Sequence, residues 1–272
     1  MRDAGRKPLR IAFVGWGAIA RRATGLLTAR NANVLVTGIA TRRAPVSDRD
    51  LPGGARWLPS PEALGDLAPD LVIEAAGREA VEPWGTAGLR HAGALAVCST
   101  SAFTDDALLQ RLLGEAERFG SQILIPSGAL AGLDALAAAG SLALEQVIHR
   151  IVKPPAAWRG TQAEQLVDLA TVTAAQTFFT GTAREVASQF PANANVAVVS
   201  ALAGLGLDRT QVALIADPTA IRNCHELSAR GDFGTLSVRV ENRPLSDNPK
   251  SSELTALSLV RLVESRCRTL SL

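Results

Sequence analysis

The sequence predicts two domains of different class, a doubly wound parallel α/β domain over residues 1–126 and an α+β domain over 127–248, closed by a helix over 249–272 packing back on the first domain. Three observations predict this. Short apolar strands alternate with helical segments from residue 11 to residue 125. A glycine-rich turn sits at the first junction of strand and helix, and the pattern changes to longer alternating strands beyond Pro126.

In order, a polar arm over 1–10 leads into a strand over 11–14, the turn Gly15-Trp16-Gly17-Ala18-Ile19-Ala20, and a helix through 30. Residues 33–40 read as a second strand. Pro45, Pro52, Gly53, Gly54 and Pro59 then break the chain into loop. Strands follow at 70–75, 94–98 and 122–125, separated by helices over about 78–90 and 105–119, the second capped by Thr104. Beyond Pro126 a helix is expected over 130–144, a strand over 146–153 and a helix over 195–205 ended by Gly204 or Gly206. Strands over 212–216, 222–229 and 235–241 complete a second sheet, with Asp232-Phe233-Gly234 as a hairpin turn. The last helix starts near Pro249 and buries Leu254, Leu257, Val260 and Leu262.

Composition narrows the function. The 272 residues are 47% apolar and 20% charged with a net charge of +2, which gives no generic surface for nucleic acid or anionic membrane and points to a small-molecule partner. The longest apolar run, 128–144, carries Asp134, so no membrane span is expected. Arg2, Arg6, Lys7 and Arg10 before an apolar stretch imitate a signal peptide, but no small-residue cleavage site follows. Three cysteines, Cys98, Cys224 and Cys267, match neither a zinc ribbon nor a redox pair and favour a cytoplasmic location.

The Gly15-x-Gly17-x-x-Ala20 turn has the flanks that a dinucleotide fingerprint needs. Gly15 permits the tight turn, Gly17 lets the backbone approach a pyrophosphate, and the helix opening at Ala18 and Ile19 offers N–H groups to the phosphates. The second strand ends in Thr41-Arg42-Arg43 where NAD-specific domains place an acid. Two guanidiniums suit a 2′-phosphate, so NADP is expected, alongside NAD; a solvated basic loop is the alternative. Among the histidines, His149 lies between isoleucines on a predicted strand and reads as packed. His225 stands among Asn223, Cys224 and Glu226 and reads either as a proton-transfer group or as a hydrogen-bonded strand histidine.

These residues, taken with Ile125-Pro126-Ser127-Gly128-Ala129-Leu130, Lys153-Pro154-Pro155, Phe190-Pro191-Ala192-Asn193-Ala194-Asn195, Ala216-Asp217-Pro218 and Asp247-Asn248-Pro249-Lys250, closely resemble the L-aspartate dehydrogenase family. The resemblance implies a Rossmann domain, a second domain carrying substrate and dimer contacts, and oxidative deamination of L-aspartate to iminosuccinate, then oxaloacetate and ammonia, with NAD or NADP. It implies that His225 is the active-site histidine, facing the nicotinamide as general acid/base, and that Ala129 and Asn195 touch the cofactor. Asn223 reads either as an orienter of the ring or the substrate or as a purely structural strand residue. Lys153, at a strand end before a Pro-Pro turn, is the first candidate for a substrate carboxylate, with Lys250 and Arg159 behind it. Ser127 would sit in the crevice at the carboxyl end of the Rossmann strands. Ala20 in place of a third glycine and the Cys98-Ser99-Thr100-Ser101-Ala102 stretch depart from the pattern. A homodimer and a place in aspartate metabolism or NAD biosynthesis fit the resemblance. The rival readings are a homoserine dehydrogenase-like or dihydrodipicolinate reductase-like oxidoreductase and a non-catalytic dinucleotide sensor.

Overall fold

The computed structural model describes residues 7–44 and 51–271, so Arg2, Arg6 and Pro45 lie outside the described residues. The chain divides into two compact units, Met1–Pro126 with Thr255–Leu272, and Ser127–Leu254.

In the first unit β1 (Leu9–Val14), α1 (Ala18–Ala29), β2 (Val34–Ala40), β3 (Arg56–Leu58), β4 (Leu71–Glu74), α2 (Arg78–His91), β5 (Ala94–Val97), α3 (Asp106–Phe119) and β6 (Gln122–Leu124) follow one another. The strands pair in parallel in the order β3-β2-β1-β4-β5-β6, the arrangement of a dinucleotide-binding Rossmann sheet. Its inner strands β1, β4 and β5 are buried on both faces, which is why they read as unbroken apolar runs rather than alternating ones. The short β3 is a finding: its three residues sit inside the proline- and glycine-rich stretch read as loop, and they are held by pairing with the end of β2. The cap of α3 is Asp105 rather than Thr104; its carboxylate accepts from Leu108 N at 3.0 Å, and Gly120 ends the helix in the left-handed conformation.

The second unit holds α4 (Leu133–Ala139), β7 (Leu144–Lys153), β8 (Gln176–Thr182), α5 (Ala183–Gln189), α6 (Ala194–Ala203), β9 (Gln211–Ala216), β10 (Asn223–Gly231), β11 (Gly234–Asn242), β12 (Pro244–Leu245) and β13 (Asn248–Ser252). A mixed sheet runs β11-β10-β7-β9-β8, with β7 and β9 parallel. The helix expected over 130–144 is seven residues long. Gly140 closes it, and Leu144 already belongs to β7, so alanine-rich composition overstated its length. β8 and α5 were not anticipated, although Thr182 and Glu185 form a capping box that is legible as T-x-x-E. The Asp232-Phe233 turn joins β10 to β11 with Gly231 opposite Gly234.

The segment 248–252 is a strand, not helix: it pairs with β12, and α7 (Glu253–Cys267) starts only after Ser252. From Thr255 onward this helix belongs to the first unit, where Leu259, Val260 and Val263 join Ile11, Phe13, Leu27, Ile39 and Ile73 in one core. The buried face is therefore rotated from the expected one, and Leu257 is 42% exposed.

Candidate active site

In the first unit, β1 runs directly into Gly15, whose φ of +92° is open to glycine and strained for other residues. A Cβ there would lie 2.6 Å from the Ala75 carbonyl oxygen, so only glycine lets this turn pass beside the loop after β4. A Cβ on Gly17 would meet nothing, which leaves its backbone open on that side. Gly17 also precedes α1, which has no capping side chain and no acidic residue in its first turn. The leading N–H groups at Ala18 and Ile19 have no acceptor within the helix, and the positive dipole end is not offset. Gly15, Gly17, Thr41, Arg42, Ala75 and Trp84 are among the residues lining a crevice of about 460 Å³ at the carboxyl ends of the strands. This donor set fits a dinucleotide pyrophosphate, and Arg42 lines the same crevice. Arg43 is not among the lining residues; its carbonyl accepts the Thr41 hydroxyl at 2.6 Å and shapes the turn.

One residue of this crevice's framework was missed by sequence reasoning. Glu74, the fully buried last residue of β4, accepts from Ala76 N (2.8 Å), Gly77 N (2.9 Å), Ser99 N (2.9 Å) and Ser99 Oγ (2.9 Å). Four donors satisfy the carboxylate and tie the loop after β4 to the loop after β5. The legible signal was a lone acid ending an apolar strand. It also gives Ser99, in the stretch that departs from the family pattern, a role inside the framework. Burial and the nearby Glu74 charge push the Cys98 thiol far up, so it is an inert packed group.

In the second unit the pleat places His149, Ile151 and Lys153 on one face of β7, and Asn223, His225 and Leu227 on one face of β10. Register sets His225 opposite Ile151 and diagonal to His149. The two rings meet, His149 Nε2 lying 3.1 Å from His225 Nδ1, while His149 Nδ1 reaches Ser200 Oγ on α6 at 3.0 Å. His149 is 0% exposed and His225 6% exposed. Burial takes the His149 pKa down to about 3. Burial first, then His149 and then the Lys153 charge, hold the His225 pKa well below its ordinary value. Both rings are neutral at physiological pH. Asn223 shares the face of His225, but His149, not Asn223, holds the ring's Nδ1.

Lys153 ends β7 with its ammonium 4.6 Å from the centre of the Trp158 ring and 2.6 Å from Asn193 Oδ1. Burial lowers its pKa to about 8, so it remains mainly charged at neutral pH. An ammonium can only donate, which fixes the Asn193 amide with its oxygen toward Lys153 and its Nδ2 beside it. That Nδ2 is buried with no partner among the described residues, in a side chain 2% exposed. A buried donor left unpaired costs about 1–3 kcal/mol.

Of the remaining expected residues, Ser127 begins the turn that leads to α4, with its carbonyl accepting Leu130 N. Ala129 is buried, and its carbonyl accepts Asn242 Nδ2 at 3.0 Å. Asn195 is exposed in the first turn of α6. Lys250 and Arg159 are exposed, unlike Lys153.

Residues 134–266 match the family described as aspartate dehydrogenase, C-terminal, and residues 15–126 match the homoserine dehydrogenase NAD binding domain. The L-aspartate dehydrogenase of Brucella anthropi is 53% identical over 259 residues, covering 95% of this chain and 97% of that protein. The chain belongs to the L-aspartate dehydrogenase family. The enzyme of that name from Serratia proteamaculans is 42% identical over 93% of this chain and 95% of its own length. The crystal structure of aspartate dehydrogenase from Thermotoga maritima superposes with a TM-score of 0.79 at 24% identity, covering 97% of this chain and 99% of that one, which shows the shared fold. Membership in the L-aspartate dehydrogenase family accounts for a Rossmann unit and an α+β unit in one chain. Among the described residues no helix is long and apolar enough to cross a membrane, and no cluster of metal-ligating side chains occurs.

Proposed function

We propose that this protein oxidises L-aspartate with NAD or NADP to iminosuccinate, which water converts to oxaloacetate and ammonia. The observation that carries the reading is the neutral imidazole of His225 on the same sheet face as the Lys153–Asn193 donor pair, in a chain of this family. A dicarboxylic amino acid needs fixed cationic donors, and Lys153, its ammonium held by Asn193 Oδ1, supplies one to a carboxylate. When bound, the nicotinamide supplies the acceptor for the hydride from the α-carbon.

The protein's own residues handle the protons. Bound aspartate enters as an ammonium and must lose one proton before its nitrogen lone pair can expel the hydride. His225 takes that proton. The Lys153 charge depresses the basicity of the ring in the free protein; a substrate carboxylate beside Lys153 offsets that charge and raises basicity when a proton has to be accepted. After passing the proton to solvent, the ring removes a proton from the water that adds to the C=N carbon, and returns one to the departing ammonia. Arg42 takes the 2′-phosphate of NADP, and Gly15, Gly17 and the α1 N-terminus take the pyrophosphate. Ser127, Ala129, Asn195 and Asn223 complete the cofactor and substrate contacts that the family pattern implies, and Arg43 shapes the loop that presents Arg42. The three unbridged cysteines support a cytoplasmic location, and the second sheet would supply the surface for a homodimer.

A panel of amino acids assayed by nicotinamide absorbance with each cofactor tests the reading. Aspartate is expected to give the highest kcat/KM, and His225→Asn to lower turnover by about a hundredfold or more while dinucleotide binding persists. A better substrate than aspartate, or cofactor binding with no aspartate-dependent reduction, would overturn it.

A further inference from the structure

His225 offers two ring nitrogens, and only an unprotonated one can accept a proton. Which one is bare follows from a chain of hydrogen bonds that ends on the backbone. Ser200 Oγ lies 2.9 Å from the Ala197 carbonyl oxygen, which has no proton to give, so the single hydroxyl proton points there. The same Oγ lies 3.0 Å from His149 Nδ1 and can only accept from it, so His149 carries its proton on Nδ1. With that ring neutral, Nε2 is a lone pair, and its 3.1 Å contact with His225 Nδ1 requires the proton to sit on His225 Nδ1. Only this assignment makes hydrogen bonds of all three contacts at once; the reverse one leaves Ser200 Oγ 2.9 Å from the Ala197 oxygen with no proton between them.

The geometry assigns His149 and Ser200 as positioning residues that hold His225 in its Nδ1–H tautomer and leave Nε2 as the nitrogen that accepts the substrate's proton. The inference rests on the reading of His225 as the general base. A neutral imidazole here does the orienting job that a carboxylate does in hydrolase triads. It carries no charge, so it fixes the tautomer without drawing a proton onto His225 in the resting protein. All three side chains are buried, and α6 covers the sheet at Ser200, so water does not compete for the links. Neither His149 nor Ser200 touches a reacting atom in this account.

The test reads the tautomer directly. With three histidines in the sequence, isotope-labelled imidazole nitrogens can be assigned by NMR using His225→Asn and His149→Gln variants. Near neutral pH the wild-type protein is expected to show His225 protonated at Nδ1 and bare at Nε2. His149→Gln keeps an acceptor oxygen near the place of Nε2 and should preserve that pattern, with kcat within about threefold. His149→Phe removes the acceptor, and Ser200→Ala frees His149 to reverse its own tautomer. Both should mix the His225 tautomers and lower kcat by about tenfold to a hundredfold with dinucleotide affinity unchanged. Wild-type His225 protonated at Nε2 would overturn the assignment without any variant, as would His149→Phe with the tautomer and kcat both intact. Unchanged turnover in His225→Asn would instead sink the general-base reading and leave the tautomer assignment standing as structure.

Discussion

The buried histidine pair makes the protein's stability depend steeply on pH in a range where carboxylates hardly titrate. In the folded chain His149 binds a proton only near pH 3, and His225 well below its ordinary range. In the unfolded chain both titrate near 6.5. Below about pH 6.5 the unfolded state therefore holds up to two more protons than the folded state, and stability falls as pH falls, by up to about 1.4 kcal/mol per pH unit per histidine. From pH 7 to pH 5 His149 alone costs about 2 kcal/mol, a sizeable part of the 5–15 kcal/mol typical of a folded domain, and His225 adds to the loss in the same direction. Urea unfolding at pH 7, 6 and 5 measures this. The fully buried Trp158 reports on the second unit once Trp16, Trp57 and Trp84 are replaced by Phe. His149→Phe should make the loss between pH 7 and 5 smaller by about 2 kcal/mol, whatever its effect at pH 7. Equal unfolding midpoints at pH 7 and pH 5 in the parent protein would refute the claim that these rings are buried neutral.

Other outcomes follow from the same geometry. Since burial brings Lys153 to about 8, kcat/KM for aspartate should fall as pH rises through about 8, and Lys153→Met should raise KM and abolish that limb in a pH profile. Arg42→Ala should raise the KM for NADP about tenfold or more and leave that for NAD unchanged, as steady-state kinetics with both cofactors will show. Glu74→Ala strands three backbone N–H groups and a hydroxyl, and should destabilise the first unit by at least about 3 kcal/mol and weaken dinucleotide binding, read by urea unfolding and fluorescence titration.

The Rossmann unit was legible because its signals are local: apolar runs of strand length, a glycine turn at a strand–helix junction, and an acid at a helix start. The second unit was less legible where pairing overrides propensity. Residues 248–252 carry Pro249, which argues against strand, yet they find a partner strand that satisfies their backbone, as 56–58 do beside Gly53, Gly54 and Pro59 in the first unit. At the site, the Gly15 turn stood out by its flanks, while His225 was left open by its neighbours and was singled out by the family resemblance. His149 did not stand out, since isoleucine neighbours on a strand look the same whether a ring packs against methyl groups or meets another imidazole across the sheet. That contact depends on the register of β7 against β10, residues 76 apart in sequence. Glu74 was hidden for a similar reason, because its donors come from two separate loops.

The return of α7 to the first unit bears on how the chain is made. Leu259, Val260 and Val263 complete a core that also contains Ile11 and Phe13, so the amino-terminal half leaves the ribosome with that surface uncovered. The intervening residues 127–254 can close on themselves first. Shortening the carboxyl end would leave the amino-terminal sheet bare on that side, and a fragment ending at Pro126 would be an aggregation hazard rather than a free-standing nucleotide binder.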